Sequence, residues 1–339
     1  MKRLQMVFLS FFVTFAVGAW AQNGAPLKLI HTILLPGLHS GDFDNFAVDF
    51  KGRRLFLAAE ANSAVEVFDL RTNKLIRTVT GLKEPHSILY RSDLKRIFVI
   101  DGGDGDIKIY GGDSYQPMGS IKLRMNCDSI AYDPETKYMY VVNGGKIPQV
   151  PYSFISIIDT TAAKELTDIK IDCNFIDNII LDKPRKRLFA NLTGENAVGV
   201  IDLTKRTVIA TWSIAKEAHL NLPMAFDATN GRLFIAARKP AKFIVLNASS
   251  GRIVASQPCV GVADSVVYDA GSKRIYVAGS GAVSVFSQRS PDDYRLIATL
   301  PTSYRAKTAI LVPELKSYYV AAPRHGTHSA AVRVYEVTP

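Results

Sequence analysis

Charged and polar residues recur at one fixed position in the chain, ahead of a strand that is itself repeated. Each lies eleven residues before the second residue of that strand, as Asp44 does before Leu55. The seven positions are Asp44, His86, Asp128, Asp177, Leu222, Asp264 and Lys307. Small polar residues usually follow them, among them the amides Asn45 and Asn178. A constant phase within a repeat predicts that these side chains surround a shared axis.

Four carboxylates around one opening repel each other, which raises their pKa values unless a positive charge lies nearby. Carboxylate oxygens are ligands that calcium prefers, so a calcium ion is one candidate cofactor. Its ligands would be Asp44, Asp128, Asp177 and Asp264. Alternatively, these residues pair with His86, Lys307 or Arg305, or they cap the backbone of the loops that enter the strands. The sequence leaves these three alternatives open.

A strand with the pattern basic–apolar–aromatic–apolar defines the repeat. Its seven copies begin at Arg54, Arg96, Tyr138, Arg187, Arg232, Arg274 and Ser317. A short apolar strand precedes each copy, a turn that often starts with Asp joins the two, and further strands follow. Four strands in about 42 residues are the signature of a propeller blade. The sequence therefore predicts an all-β, seven-bladed β-propeller.

The last repeat lacks its fourth strand, because the chain stops soon after the third, at residues 332–337. Near the N-terminus, residues 29–33 (LIHTI) match the fourth strand of the first repeat, residues 75–79 (LIRTV). We expect this N-terminal segment to complete the last blade, which closes the ring and removes an exposed sheet edge. The predicted single domain covers residues 22–339.

Short motifs within the repeat resemble those of a known family. Residues 140–143 (YVVN) and 276–279 (YVAG) carry a YVTN-like motif, and residues 200–202 (VID) form its partner strand. Over essentially all of residues 22–339 the chain resembles the YVTN-repeat, YncE-like family of seven-bladed propellers with WD40-like repeats. The resemblance implies the fold but no particular function, because propellers serve many unrelated activities.

The loops between the second and third strands should share a face with the recurring charged positions. They add Glu60, Arg238 and Arg324 to the candidate ligand-binding residues, and the loop of the third repeat, 144–152, is the longest. Such mixed charges suit a small polar or anionic ligand, or a protein partner.

The turns on the opposite face are rich in Lys and Arg, which attract nucleic acid, but no aromatic residues are interleaved for base stacking.

The N-terminus has the pattern of a secretory signal. Lys2 and Arg3 precede a short apolar stretch, and residues 19–21 (AWA) supply a cleavage pattern. We expect residues 1–21 to be removed and the mature protein to be periplasmic or secreted, rather than held in the membrane by an uncleaved anchor. The formal net charge is +10, which favours anionic partners. No second membrane segment is found, and we expect a monomer.

Three cysteines remain, Cys127, Cys173 and Cys259. In an oxidising compartment one pair could bridge and leave an odd thiol. We favour the interpretation that all three are small buried residues. Their spacing does not select a pair.

Known catalytic signatures are missing from the sequence: it has no G-x-S-x-G elbow, P-loop or haem-attachment motif. His325 and His328 have no third ligand nearby, while His39, His86, Asp42 and Asp44 form a weak candidate transition-metal set. We therefore predict a binding protein with no catalytic residue assigned. The alternatives are a metal-assisted hydrolase or lactonase-like enzyme in the channel, and an electrostatic nucleic-acid binder on the basic face.

Overall fold

The computed structural model describes residues 24–339, and the predicted signal segment at 1–21 lies outside them. Twenty-eight strands form seven four-stranded antiparallel sheets, which confirms the predicted all-β, seven-bladed propeller. Four single-turn 3-10 helices occur at Glu60–Asn62, Lys183–Arg185, Thr193–Glu195 and Pro313–Leu315. Within residues 24–339 no helix is long and apolar enough to cross a membrane.

The strands are numbered in chain order, and each blade takes four of them. Blade 1 contains β2 (Phe46–Asp49), β3 (Arg54–Ala59), β4 (Ala64–Asp69) and β5 (Lys74–Val79). Blade 2 contains β6 (Pro85–Arg91), β7 (Arg96–Asp101), β8 (Asp106–Gly111) and β9 (Pro117–Lys122). Blade 3 contains β10 (Ile130–Asp133), β11 (Tyr138–Gly144), β12 (Ser153–Asp159) and β13 (Lys164–Ile171). Blade 4 contains β14 (Ile176–Asp182), β15 (Arg187–Leu192), β16 (Ala197–Asp202) and β17 (Thr207–Ser213). Blade 5 contains β18 (His219–Asp227), β19 (Arg232–Lys239), β20 (Ala241–Asn247) and β21 (Ile253–Pro258). Blade 6 contains β22 (Ser265–Asp269), β23 (Arg274–Gly279), β24 (Ala282–Ser290) and β25 (Asp293–Pro301). Blade 7 contains β26 (Thr308–Val312), β27 (Ser317–Ala322), β28 (Ala330–Val337) and β1 (Leu27–Leu35).

The N-terminal strand β1 completes blade 7, as the sequence predicts. It pairs antiparallel with β28, from Leu27 opposite Val337 to Leu35 opposite Ala330. A bulge between Leu29 and His31 interrupts the register. Because β1 is the outermost strand of the sheet order β1-β28-β27-β26, the two ends of the described chain are joined by main-chain hydrogen bonds.

The second strand of each blade is buried on both faces, because it lies between neighbouring sheets. In β3 the side chains of Leu55, Phe56 and Leu57 are all fully buried. The outer strand β17 instead alternates between exposed and half-buried residues. Aromatic rings fill the spaces between blades; Phe56 of blade 1, for example, stacks on Tyr90 of blade 2 with ring centroids 5.7 Å apart.

The turn that precedes the second strand has a left-handed last residue in every blade. These residues are Arg53, Lys95, Lys137, Lys186, Gly231, Lys273 and Lys316. The aspartate that starts the turn accepts a backbone N–H, as Asp49 does from Gly52 at 2.9 Å and Asp269 does from Gly271 at 3.0 Å. The repeat therefore places cationic side chains on the face where these turns lie.

The small polar residues at the starts of the innermost strands tie neighbouring blades together. Asn45 donates to Ser87 Oγ at 3.2 Å, which joins blades 1 and 2. The Thr308 hydroxyl donates to the Phe43 carbonyl at 2.8 Å, which joins blades 7 and 1. The hydroxyl of Ser129 in blade 3 donates to a blade 4 carbonyl. These contacts explain why small polar residues recur at this position.

Candidate functional site

The recurring charged residues meet across neighbouring blades at one mouth of the central channel. His86 Nδ1 of blade 2 lies 2.6 Å from Asp44 Oδ2 of blade 1. Lys307 Nζ of blade 7 lies 2.5 Å from Asp264 Oδ2 of blade 6. Contacts between residues of equal phase on adjacent blades are what a shared axial opening requires. We call this set, with the loop residues that reach it, the channel mouth.

One side of the channel mouth is a network of ion pairs. Arg238 on β19 donates to Asp264 and to the carbonyl of Ala263, the latter at 3.0 Å. Asp42, in the connection that enters blade 1, pairs with Arg305 and lies 3.6 Å from Lys307. Each carboxylate on this side, Asp42 and Asp264, therefore has at least one cationic partner within the protein.

The other side of the channel mouth has an excess of carboxyl groups. Within the described chain, neither Asp128 nor Asp177 has a side-chain hydrogen-bond partner, although both are half-buried. Burial and the neighbouring Asp44 raise the pKa of Asp128 to about 7. Burial and the charge of Asp128 raise the pKa of Asp177 well above its usual range. Burial and the charge of Asp44 also raise the pKa of Glu60.

Among the described residues, His86 is the cationic group that pairs with a carboxylate on this acidic side. Burial lowers its pKa, but the hydrogen bond that His86 donates to Asp44 and the charges of Asp128, Asp44 and Glu60 outweigh burial and raise the pKa to about 10. The imidazole is therefore protonated at neutral pH. In total, six carboxyl groups face four cationic groups at the mouth: Asp42, Asp44, Glu60, Asp128, Asp177 and Asp264 against His86, Arg238, Arg305 and Lys307.

Metal-ligand geometry occurs at one place within residues 24–339. One ligand atom each from Asp44, Glu60 and His86 lie within 4.8 Å of one another. The four recurring aspartates do not form such a group, and His39, which is exposed, is not part of it. Because the His86 imidazole is protonated, it has no free lone pair for a metal ion until it loses that proton.

The capping alternative does not describe these aspartates. The Asp44 carboxylate accepts from side chains, Asn45 Nδ2 at 2.7 Å and His86, and the Asp264 carboxylate accepts from Arg238 and Lys307. The pairing alternative therefore holds for Asp44 and Asp264. Other aspartates cap backbone groups: Asp49 and Asp269 do so at turns on the other face, and Asp101, at the end of β7, accepts from the N–H groups of Lys83 and Glu84 in the loop that enters blade 2.

The remaining positions that the sequence singles out are Asn45, Arg324, Leu222 and Asn178. Asn45 joins blades 1 and 2, as described above. Arg324 donates to the carbonyls of Leu38 at 3.0 Å and Pro36 at 2.6 Å, so it anchors the connection between β1 and β2. Leu222 is buried and places no charge at the mouth. Asn178 is half-buried beside Asp177, within the first strand of blade 4.

The basic face is partly neutralised by its own acidic residues. Arg54 pairs with Asp49 at 2.8 Å, and Lys183 pairs with Glu135 at 2.9 Å. Arg187 likewise contacts a buried turn aspartate at 2.8 Å. These pairs reduce the positive potential that the sequence alone suggests for this face.

The three cysteines are free thiols. Cys127 and Cys173 are buried, and Cys259 is half-buried. Burial raises the pKa of all three, and that of Cys259 to about 12. The prediction that they are buried side chains is thus confirmed for Cys127 and Cys173, and Cys259 is more exposed than expected.

No protein-family model and no curated protein matches the chain. In structure it is similar to a chain of the Kuenenia stuttgartiensis hydrazine synthase, with a TM-score of 0.72, 16% identity, and 85% of this chain and 96% of that chain covered. It is also similar to a chain of the mitotic checkpoint complex (0.74, 13%, 100% and 99%) and to the RRP9 WD40 repeats (0.75, 10%, 92% and 100%). At these identities the likeness shows the fold alone. The YVTN-repeat, YncE-like assignment stays a prediction, and the chain is a WD40-like seven-bladed β-propeller.

Proposed function

We propose that the protein is an exported binding protein whose channel mouth holds a small ligand with a cationic group. The ligand's ammonium or guanidinium group would lie between Asp128, Asp177 and Glu60. The observation that carries this proposal is the charge imbalance of the mouth. Two half-buried carboxyl groups face the opening without a partner, while each carboxylate on the opposite side has one.

A bound cation would relieve the repulsion that raises the pKa values of Asp128 and Asp177. A charge-assisted hydrogen bond to a carboxylate is stronger than a neutral one, and more so where water is partly excluded. Because the pKa of Asp128 is about 7, its side chain is a neutral carboxylic acid at acidic pH and must lose its proton before it attracts a cation. We therefore expect affinity for the cation to rise between about pH 6 and pH 8.

Isothermal titration with ethanolamine and agmatine at pH 8 tests the proposal. Ethylene glycol, which resembles ethanolamine but has no charge, is the matched ligand control. We expect the cations to bind, ethylene glycol not to bind, and Asp128→Asn to weaken cation binding by about tenfold. Asp172→Asn is the control variant, because Asp172 is 91% exposed on the surface.

Two results would contradict the proposal. The first is that neither cation binds saturably up to about 10 mM. The second is that Asp172→Asn weakens binding as much as Asp128→Asn does. The calcium alternative is tested by measuring the melting temperature of the protein with added calcium, in the presence and absence of a chelator. A calcium-dependent rise in melting temperature that Asp128→Asn abolishes would replace an organic cation by a metal ion as the ligand.

A further inference from the structure

A groove over blade 7 is lined by cationic and hydroxyl groups and by no carboxylate. It consists of two adjoining cavities of about 440 Å³ and 180 Å³. Tyr304, Pro323 and His325 line both cavities and connect them. The walls come from β1, from the connection between blades 6 and 7, and from the loop between β27 and β28. This groove lies outside the channel mouth, although Arg305 borders both.

The positive charges of the groove are largely uncompensated. Arg333 on β28 lines the larger cavity and has no carboxylate partner anywhere in residues 24–339. Arg324 lines the smaller cavity, and its only partners are neutral backbone carbonyls. Arg305, at the inner end, is the one cation of the three that pairs with an acid, Asp42. An anion in this groove would thus meet the guanidinium groups of Arg333 and Arg324, which have no acidic partner within residues 24–339, and no carboxylate is among the residues that line the two cavities.

One wall of the groove is a pair of aromatic rings that pack closely at a tilt. The Tyr304 ring lies 4.3 Å from that of His325, centroid to centroid, with an interplanar angle of 32°. Tyr304 is 55% exposed, so much of its ring is open to a ligand. The hydroxyl of Thr302, which also lines the groove, has no hydrogen-bond partner within the described chain. An exposed aromatic ring beside a guanidinium favours a ligand that is both flat and negatively charged.

We infer that this groove binds a small organic anion that carries a flat ring. The anionic group contacts Arg333, which offers parallel N–H donors of the geometry that carboxylates and phosphates accept. The ring of the ligand packs on Tyr304 and His325. The combined volume lies within the usual range for small-molecule sites, and the opposite charge preference of the channel mouth separates the two sites chemically.

Titration of the full mature chain with phenyl phosphate tests this inference. Inorganic phosphate supplies the charge without the ring, and phenol supplies the ring without the charge. We expect phenyl phosphate to bind at least about tenfold more tightly than either. Arg333→Gln should weaken its binding about tenfold, and Tyr304→Ala should weaken phenyl phosphate but leave inorganic phosphate unchanged.

Arg77→Gln is the matched control, because Arg77 is an exposed arginine on β5, the outer strand of blade 1. It should leave binding unchanged. Circular dichroism of each variant verifies that the propeller is intact. The inference is wrong if phenyl phosphate shows no saturable binding, or if Arg77→Gln and Arg333→Gln weaken it equally.

Discussion

Replacing Asp128 by asparagine should stabilise the protein at pH 8, although it removes a charged residue from the candidate site. The folded-state pKa of Asp128 is about 7, against an ordinary value of 3.8. At ~1.4 kcal/mol per pH unit, this difference corresponds to about 4 kcal/mol against the ionised form. The channel mouth admits water, which screens part of this charge. We therefore expect a gain of ~1–2 kcal/mol in the free energy of unfolding.

The sign of the effect depends on pH. A carboxyl group with a raised folded-state pKa keeps a proton that the unfolded chain releases, so stability falls as pH rises from about 4 to about 7. Well below its ordinary pKa of 3.8, Asp128 is protonated in both states, and the asparagine variant should match the natural protein. The advantage of the variant should appear over the interval from pH 4 to pH 7 and stay constant above it.

Urea unfolding at a series of pH values, without added ligand, measures this difference. Asp172→Asn serves again as the control and should stay within about 0.5 kcal/mol of the natural protein throughout. The double variant Asp128→Asn, Asp177→Asn should gain less than the sum of the single variants, because the charge of Asp128 raises the pKa of Asp177. A variant Asp128→Asn that is less stable at pH 8, or equally stabilised at pH 4 and pH 8, would refute the reasoning.

Three further predictions follow from the fold and the channel mouth. The raised pKa of His86 contributes stability that is complete below about pH 6.5 and is lost as pH rises through about 10. His86→Gln should therefore lower the free energy of unfolding by about 2 kcal/mol at pH 6.5 and by little at pH 10.5, as measured by urea unfolding. Ile33→Ala on β1 should lower the free energy of unfolding by about 2–3 kcal/mol, because Ile33 is buried in the closing strand. The control Ile30→Ala, at an exposed residue of the same strand, should change it by under about 0.5 kcal/mol. Equal losses would show that β1 does not hold the ring closed. Cys127 and Cys259 should react slowly with iodoacetamide at pH 8 in the native protein and quickly in urea, as followed by mass spectrometry; fast native labelling of Cys127 would contradict its burial.

Much of this architecture is predictable because a repeat constrains both spacing and phase. The match between residues 29–33 and the fourth strand of blade 1 was sufficient to predict that β1 joins β28. Equal phase placed Asp44 and Asp264 at the mouth, and the structure brings both to their neighbours' cations. Local sequence carries this information because each blade solves the same packing problem.

The partners within the site were less predictable, because they come from loops with no repeated pattern. Asp42 and Arg305 pair across the join between blades 7 and 1, although 263 positions separate them. Asn45, a predicted ligand-binding residue, forms a contact between blades that the sequence does not indicate, since a small amide can serve either purpose. Arg324, another predicted ligand-binding residue, donates to the backbone of the connection between β1 and β2. The sequence does not indicate this contact, because it depends on how two loops pack against each other.

The pairing of β1 with β28 has a consequence for how the chain folds. Leu27 and Val337 are among the most distant residues in the sequence, yet they are direct partners in one sheet. Contacts over such separations form slowly, because a long loop must first be closed. We expect six blades to assemble before the seventh, which waits for both of its segments. A chain interrupted near either end would keep a nearly complete ring with an unpaired strand, open to association with another copy.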